Sequence, residues 1–474
     1  MEYREYMDTL GEQIRNARAR RMVLGEIQGH IEEQCRAYED QGMDPREAMA
    51  ESIRQMGDPA RTGAELDRIH RPRTPWGLIG LAVGLTAVGI IIQCLIFYKI
   101  ADPPSWANVW LYHGRNTVVY NLIGLAVMLG IMYLDYSFIG RHVYLLYGLY
   151  LAGMFGICVI RICRFSYDQY LSLWYYMISL YPILLAGLIY RSRKQGMKGL
   201  ARCMILTAAV LAVCIWGFGQ MTSACPEILV ICGIMLLAAV HKRIFGGKRL
   251  WQGMALAGVA LLGIIGIWYM TAAGSRWLSP NQYARLIHFL SPEKAAGDVG
   301  YIAVRQRELL GNYSLWGQQG LTERLLADSG PGGLDLAGTY VLSAIFAWFG
   351  IFVGVLVVGG LLFFVGKALY MTLRQRNRLG MFIGMACGLS LLLHSVVFIA
   401  INCGYSLYYT TGIPFLAYGL GYGVTNGVLV GLLLCVCRNS AILGEDTAPQ
   451  TAGIRLGRHR YRLRMERMPE QNGF

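Results

Sequence analysis

Long apolar stretches recur along most of this chain, separated by short polar joints. They run near residues 76–100, 117–135, 143–163, 170–190, 200–221, 228–240, 251–273, 340–370, 379–402 and 413–437. A bilayer core of roughly 30 Å requires about 20 apolar residues in a helix, so these stretches predict about ten membrane spans. Backbone donors within lipid must be bonded internally, which leaves helices or a closed barrel. No alternating barrel pattern is present, so the expected class is an all-α, polytopic membrane helix bundle.

The first seventy or so residues break this pattern. They are charged and hold no run of membrane length. Val23, Ile27 and Ile31 recur at helical spacing, and Cys35 and Tyr38 continue the stripe. Asp44-Pro45-Arg46-Glu47 reads as a helix start, with an N-cap, a first-turn proline and a capping-box acid. Asp58-Pro59 repeats the start signal after Gly57, so a unit of three or four helices ending near Arg71-Pro72-Arg73 is expected. The apolar pattern begins only near Gly77, so no secretory signal peptide is expected. The domain plan is a soluble head over 1–73, a membrane unit over 76–438 and a basic tail over 439–474.

Composition agrees with that plan: 55% of the 474 residues are hydrophobic and 15% are charged. The basic residues sort by loop. Arg191, Arg193, Lys194 and Lys198 follow the fourth span, Lys242, Arg243, Lys248 and Arg249 the sixth, and Lys367, Arg374, Arg376 and Arg378 the eighth. The loops near Thr222 and Tyr405 carry none, while Arg161 and Arg164 run against the bias. This asymmetry predicts both termini in the cytoplasm. The net charge of +14 then reflects topology and attraction to anionic membrane lipids, and its dispersal speaks against nucleic acid. Most of the 12 cysteines lie within apolar stretches, where they behave as small hydrophobes, and no metal site is expected. His394, Asn402 and Asn426 fall within spans, where polar side chains most often bond a neighbouring helix.

One segment, 274–338, is too polar to span and too long for a plain connector. By the topology it is extracytoplasmic. Amphipathic helices are expected near 281–290 and 301–310.

Two resemblances follow from motifs. Glu26-Ile27, His30-Ile31-Glu32-Glu33, Gly42-Met43-Asp44, Glu47-Ala48 and Met56-Gly57-Asp58-Pro59 resemble the permease prefix domain, a helical module that precedes bacterial membrane proteins. That likeness implies a cytoplasmic regulatory or assembly role. In the long loop, Tyr283-Ala284-Arg285-Leu286, Phe289-Leu290-Ser291-Pro292-Glu293, Gly300-Tyr301, Gln306 and Trp316-Gly317 resemble the FtsW/RodA/SpoVE family of cell shape, division and sporulation proteins. Thr411-Gly412-Ile413-Pro414-Phe415, Tyr418-Gly419 and Thr425-Asn426 resemble the last span of that family, and Pro226-Glu227 a Pro-Asp pair near its sixth.

The second resemblance implies a ten-helix bundle in the bacterial cytoplasmic membrane that polymerises the undecaprenyl-pyrophosphate-linked disaccharide precursor of peptidoglycan. A class B penicillin-binding protein is the implied partner. The implied reaction is glycosyl transfer, with a carboxylate accepting the proton of the acceptor hydroxyl. Arg285, Arg305 and Arg307 are the candidate pyrophosphate-binding residues, and Tyr301 is a further candidate substrate-binding residue. A divalent cation accompanying the pyrophosphate is the only cofactor such a substrate brings.

The chain departs from the family at two places. The family's catalytic Asp position holds Thr339, whose hydroxyl stays protonated and cannot act as base; Asp335, one helical turn earlier, is the candidate replacement. A Glu and Lys of the family fall at Gln169 and Ser172. The alternatives are an inactive scaffold or regulator of a penicillin-binding protein, or a lipid flippase or transporter. The scarcity of membrane-buried charge argues against ion-coupled transport.

Overall fold

In the computed structural model every regular element among the described residues is helical. The structure describes residues 2–440 except 71, 73, 101–113, 165–166, 219–223, 273–279, 289, 296, 298–299, 318–338, 376, 406–412 and 417. The chain divides into two compact units, Met1–Arg71 and Pro72–Ser440.

The first unit holds α1 (Tyr3–Gln13), α2 (Ala17–Glu39), α3 (Pro45–Gln55) and α4 (Pro59–His70). Its core is small. Tyr6, Leu10, Ile14, Val23, Ile31, Ala48 and Ile53 are buried, so the apolar stripe of α2 faces inward at Val23, Ile31 and Cys35. Asp44 caps α3 by accepting from the Arg46 backbone N–H at 3.1 Å, and Asp58 accepts likewise from Arg61. His30 is exposed on α2.

The second unit is a membrane helix bundle. Its apolar helices are α5 (Trp76–Ile100), α6 (Arg115–Met132), α8 (Val143–Arg164), α9 (Tyr167–Arg191), α10 (Gly196–Phe218), α11 (Ala224–His241), α12 (Arg249–Ala272), α15 (Val341–Leu373), α16 (Arg378–Asn402) and α17 (Leu420–Arg438). The short α7 (Ser137–Arg141) precedes α8. Among the described residues seven of these are long and apolar enough to cross a membrane, and the apolar parts of α9, α11 and α12 are shorter. Two-thirds of α16 and of α17 (67%) is buried, against 22% of α6, so α16 and α17 form the middle of the bundle.

Close backbone contact sets the bundle's tightest interface. Gly423, Gly427 and Gly431 repeat every four residues along α17 and meet α6 at Tyr120, Gly124 and Met128. A methyl group on Gly427 would stand 2.6 Å from the Gly124 carbonyl oxygen, and one on Gly431 2.8 Å from that of Met128. Small residues permit this approach, which replaces the hydrophobic drive that lipid removes. The connections after α9 and after α11 bond to one another, Lys194 N–H to Ile244 O (3.0 Å) and Gly196 N–H to Phe245 O (2.7 Å). Both basic connections therefore lie at one end of the bundle.

The last span begins later than the apolar pattern indicates. Residues 413–416 form a turn, and the helix starts at Leu420. Ile413 and Leu416 are buried, and Gln93 of α5 donates to the Leu416 carbonyl at 2.5 Å. Irregular backbone at membrane depth persists where protein groups satisfy it, as here.

Substituting Gly427→Leu is expected to lower the melting temperature of the detergent-solubilised protein, since overpacking costs about 1–3 kcal/mol. Gly366→Leu, at a site with nothing within 4 Å, serves as the control and leaves the melting temperature unchanged.

Candidate functional site

The candidate site lies at the loop face, the end of the bundle that carries the 274–338 segment. Three short elements cover it: α13 (Pro280–His288), a 3-10 turn (Pro292–Ala295) and α14 (Tyr301–Leu310). Both amphipathic helices expected from the sequence are present.

A break in α15 admits this cover. Gly350 has φ +88° within the helix, a conformation that side chains resist. The main chain of the loop enters the break: Ile351 N–H donates to Ser314 O at 3.0 Å and Phe352 N–H to Leu315 O at 3.4 Å. A methyl group on Gly350 would lie 2.2 Å from the Leu315 oxygen. The Trp316 and Phe352 rings sit 5.7 Å apart beside it.

Beneath the cover, three buried side chains join α14, α15 and α16. The Ser343 hydroxyl lies 2.6 Å from Gln306 Oε1 and 3.0 Å from Asn402 Oδ1, and the Ser343 backbone N–H donates to Asn402 Oδ1 at 3.1 Å. The Asn402 amide donates to the Thr339 carbonyl at 3.0 Å and to that of Phe398 at 2.9 Å. Gln306, Ser343 and Asn402 are each 0% exposed. A single hydroxyl proton cannot serve both acceptors. Exchanging the oxygen and nitrogen of the Gln306 amide resolves this: its NH₂ then donates to Ser343, whose hydroxyl donates to Asn402. The knot is neutral and offers no proton acceptor of carboxylate strength. Thr339 contributes its carbonyl oxygen to it.

Of the four candidate binding residues, Tyr301, Arg305 and Arg307 are described, all on α14, and they have different surroundings. Arg307 fastens the cover: its guanidinium donates to Gly404 O (3.0 Å), Leu290 O (3.0 Å) and the Glu293 carboxylate, and lies 5.4 Å from the Tyr405 ring centre. These contacts tie the 3-10 turn, α14 and the end of α16 together. Arg305 leaves a different side of α14, since residues two apart on a helix do not face each other, and pairs with Glu308 at 2.8 Å. Tyr301 is exposed. The side chains of Arg285, Gln169 and Ser172, and all of Asp335, lie outside the described residues.

The sequence marked Asn402 and Gln306 as polar residues in apolar or family-like surroundings, whereas Ser343 carried no signal. The scarcity of buried charge also needs correction. His394 of α16 pairs with Glu227 of α11 inside the bundle, both side chains more than nine-tenths buried.

The Glu293 carboxyl is held below its ordinary range by its own backbone N–H and then by Arg307. A lowered folded value means the clamp persists below the ordinary carboxylate range and is lost as pH falls through the folded value. Arg307→Ala is expected to raise amide hydrogen exchange across residues 301–310 and to lower the melting temperature, because hydrogen bonds to a charged group contribute about 1.5–3 kcal/mol. Arg305→Ala, which removes a surface helix pair of about 0.2–0.5 kcal/mol, is expected to change neither.

No family model matches this chain, and no curated protein does. Among solved structures, one described as the structural coordination of polymerization and crosslinking by a peptidoglycan synthase complex has a similar fold. The alignment has a TM-score of 0.54 at 17% identity and covers 77% of this chain and 98% of that chain.

Proposed function

We propose that this chain works in bacterial cell-wall synthesis, as a membrane protein of the FtsW/RodA/SpoVE type that handles lipid-linked peptidoglycan precursor at its loop face. The observation that carries the reading is the shared fold, which runs along nearly the whole of a chain from a peptidoglycan synthase complex. The sequence motifs in the long loop and at the last span point the same way. In this reading the loop face is extracytoplasmic, both termini are cytoplasmic, and a class B penicillin-binding protein is the partner.

The chemistry of the site sets what the chain does with the precursor. Glycosyl transfer requires a base near the acceptor hydroxyl, and Thr339 with its Gln306–Ser343–Asn402 knot supplies none. Polymerisation by this chain then rests on Asp335. The neutral knot favours a second reading, in which the chain retains the fold and acts as a scaffold or regulator for the crosslinking partner. The helical head, in either reading, is a cytoplasmic assembly module.

The test supplies purified protein, alone and with its cognate transpeptidase, with labelled lipid-linked disaccharide. Binding and glycan products are measured separately for wild type, Asp335→Ala and Thr339→Asp. Under the polymerase reading, Asp335→Ala is expected to lose about 10²–10⁴-fold in polymer formation with binding retained. Binding without polymer in wild type, with polymer gained in Thr339→Asp, identifies the scaffold. Absence of both binding and transpeptidase association in all three proteins removes the cell-wall proposal.

A further inference from the structure

Away from the loop-face knot, the bundle contains a second polar cluster that the proposed function does not use. Glu227 lies in the first turn of α11, Ser179 is midway along α9, and His394 is on α16. His394 Nε2 is 2.5 Å from Glu227 Oε1 and 3.4 Å from Ser179 Oγ. The side chains of His394 and Glu227 are 5% and 7% exposed. The second carboxylate oxygen of Glu227 is buried and has no hydrogen-bond partner among the described residues. His394 stands eight residues before the end of α16, about 12 Å below it by helical rise. A titratable pair at that depth, among apolar helices, is costly to maintain and rarely incidental.

At 2.5 Å a nitrogen and an oxygen cannot both present lone pairs, so a proton lies between them. A low dielectric favours the net-neutral form. In that form two protons occupy three positions: Nδ1, Nε2 and the carboxylate. Whether the bridging proton belongs to the ring or to the acid does not change the total charge. The peptide dipoles at the start of α11 favour a negative Glu227, which favours the ion-pair form.

We propose that Glu227 and His394 form a proton-binding site that ties α11 to α9 and α16. The consequence is mechanical. Any motion that parts α11 from α16 would leave a carboxylate and an imidazolium apart in apolar surroundings. Parting is therefore accompanied by protonation of Glu227, by deprotonation of His394, or by both. The surroundings supply little alternative compensation. Cys232 of α11, Tyr181 of α9 and Tyr150 of α8 are buried titratable groups on the neighbouring helices, and each is neutral in its ordinary form. Ser179, Ser390 and Ser395 do not titrate. No Lys or Arg among the described residues is bonded to Glu227. The site does not rest on the cell-wall reading, and its test needs no precursor.

The test measures thermal unfolding of the full chain in detergent from about pH 5 to about pH 9, the window in which an imidazole ordinarily changes charge. The variants are Glu227→Gln, His394→Gln and the double variant. In Glu227→Gln the buried imidazole, deprived of its carboxylate, prefers to be neutral. Charging it at low pH inside the apolar bundle is costly, so stability is lost as pH decreases. In His394→Gln the lone buried acid prefers to be protonated. Charging it at high pH in the same surroundings is costly, so stability is lost as pH increases. The expected result is therefore two single variants with opposite pH slopes relative to wild type. The double variant, which keeps two amides able to bond each other, should lack both slopes. Infrared spectra of His394→Gln should also show a protonated carboxylic acid that is absent from the double variant. Parallel profiles for wild type and both single variants, or a double variant that retains either slope, would overturn the proposal. If a single variant fails to fold, the difference in slope between the other and the double variant still decides it.

Discussion

At Gly350 the main chain of a membrane helix is broken, and main chain from the loop fills the break. Backbone groups at that depth cannot turn to water, so the N–H groups of Ile351 and Phe352 must find protein acceptors. Ser314 and Leu315 provide them. This one exchange fixes the loop against α15. It sets the height at which α14 crosses the bundle, and so it allows Gln306 to reach Ser343. Arg307, on the next position of the same helix, then fastens the other edge of the cover to Gly404 at the end of α16.

Polar chemistry within the membrane unit is divided by depth. At the loop face the buried groups are amides and hydroxyls, which hold three helices in register without any net charge. Charged groups there lie further out, on the cover, where Arg307 serves three acceptors and Arg305 answers Glu308. Deeper in the bundle the arrangement reverses, and a titratable pair joins α11 to α16. A neutral knot tolerates change of pH; a bridging proton does not. The two clusters therefore give α16 two different attachments, one insensitive to protons and one made from them.

The fold likeness and the departures from it are compatible in physical terms. A membrane helix bundle depends on apolar spans, small-residue contacts and satisfied backbone, and Gly124, Gly423, Gly427 and Gly431 supply small-residue contacts here. Those requirements place no demand on the identity of residue 339. Architecture can thus persist whatever residue stands there, and a shared fold alone does not carry an activity.

The apolar pattern by itself determined the class of fold and marked where ten apolar helices lie among the described residues, seven of them long enough to cross a membrane, because lipid leaves the backbone almost no other choice. It also placed both amphipathic helices of the loop and the cap of α3, since these depend on neighbours in sequence. The start of α17 was misplaced by that same pattern: residues 413–416 are apolar, yet Gln93, more than three hundred positions away, makes a turn there tolerable. Only tertiary structure decided what Arg307 does, since a guanidinium reads alike whether it meets a pyrophosphate or the backbone of Leu290 and Gly404. The partnership of Glu227 with His394 is of the same kind. Two polar residues in separate spans carry no mark of being 2.5 Å apart, because helix rotation and packing, not local spacing, bring their side chains together.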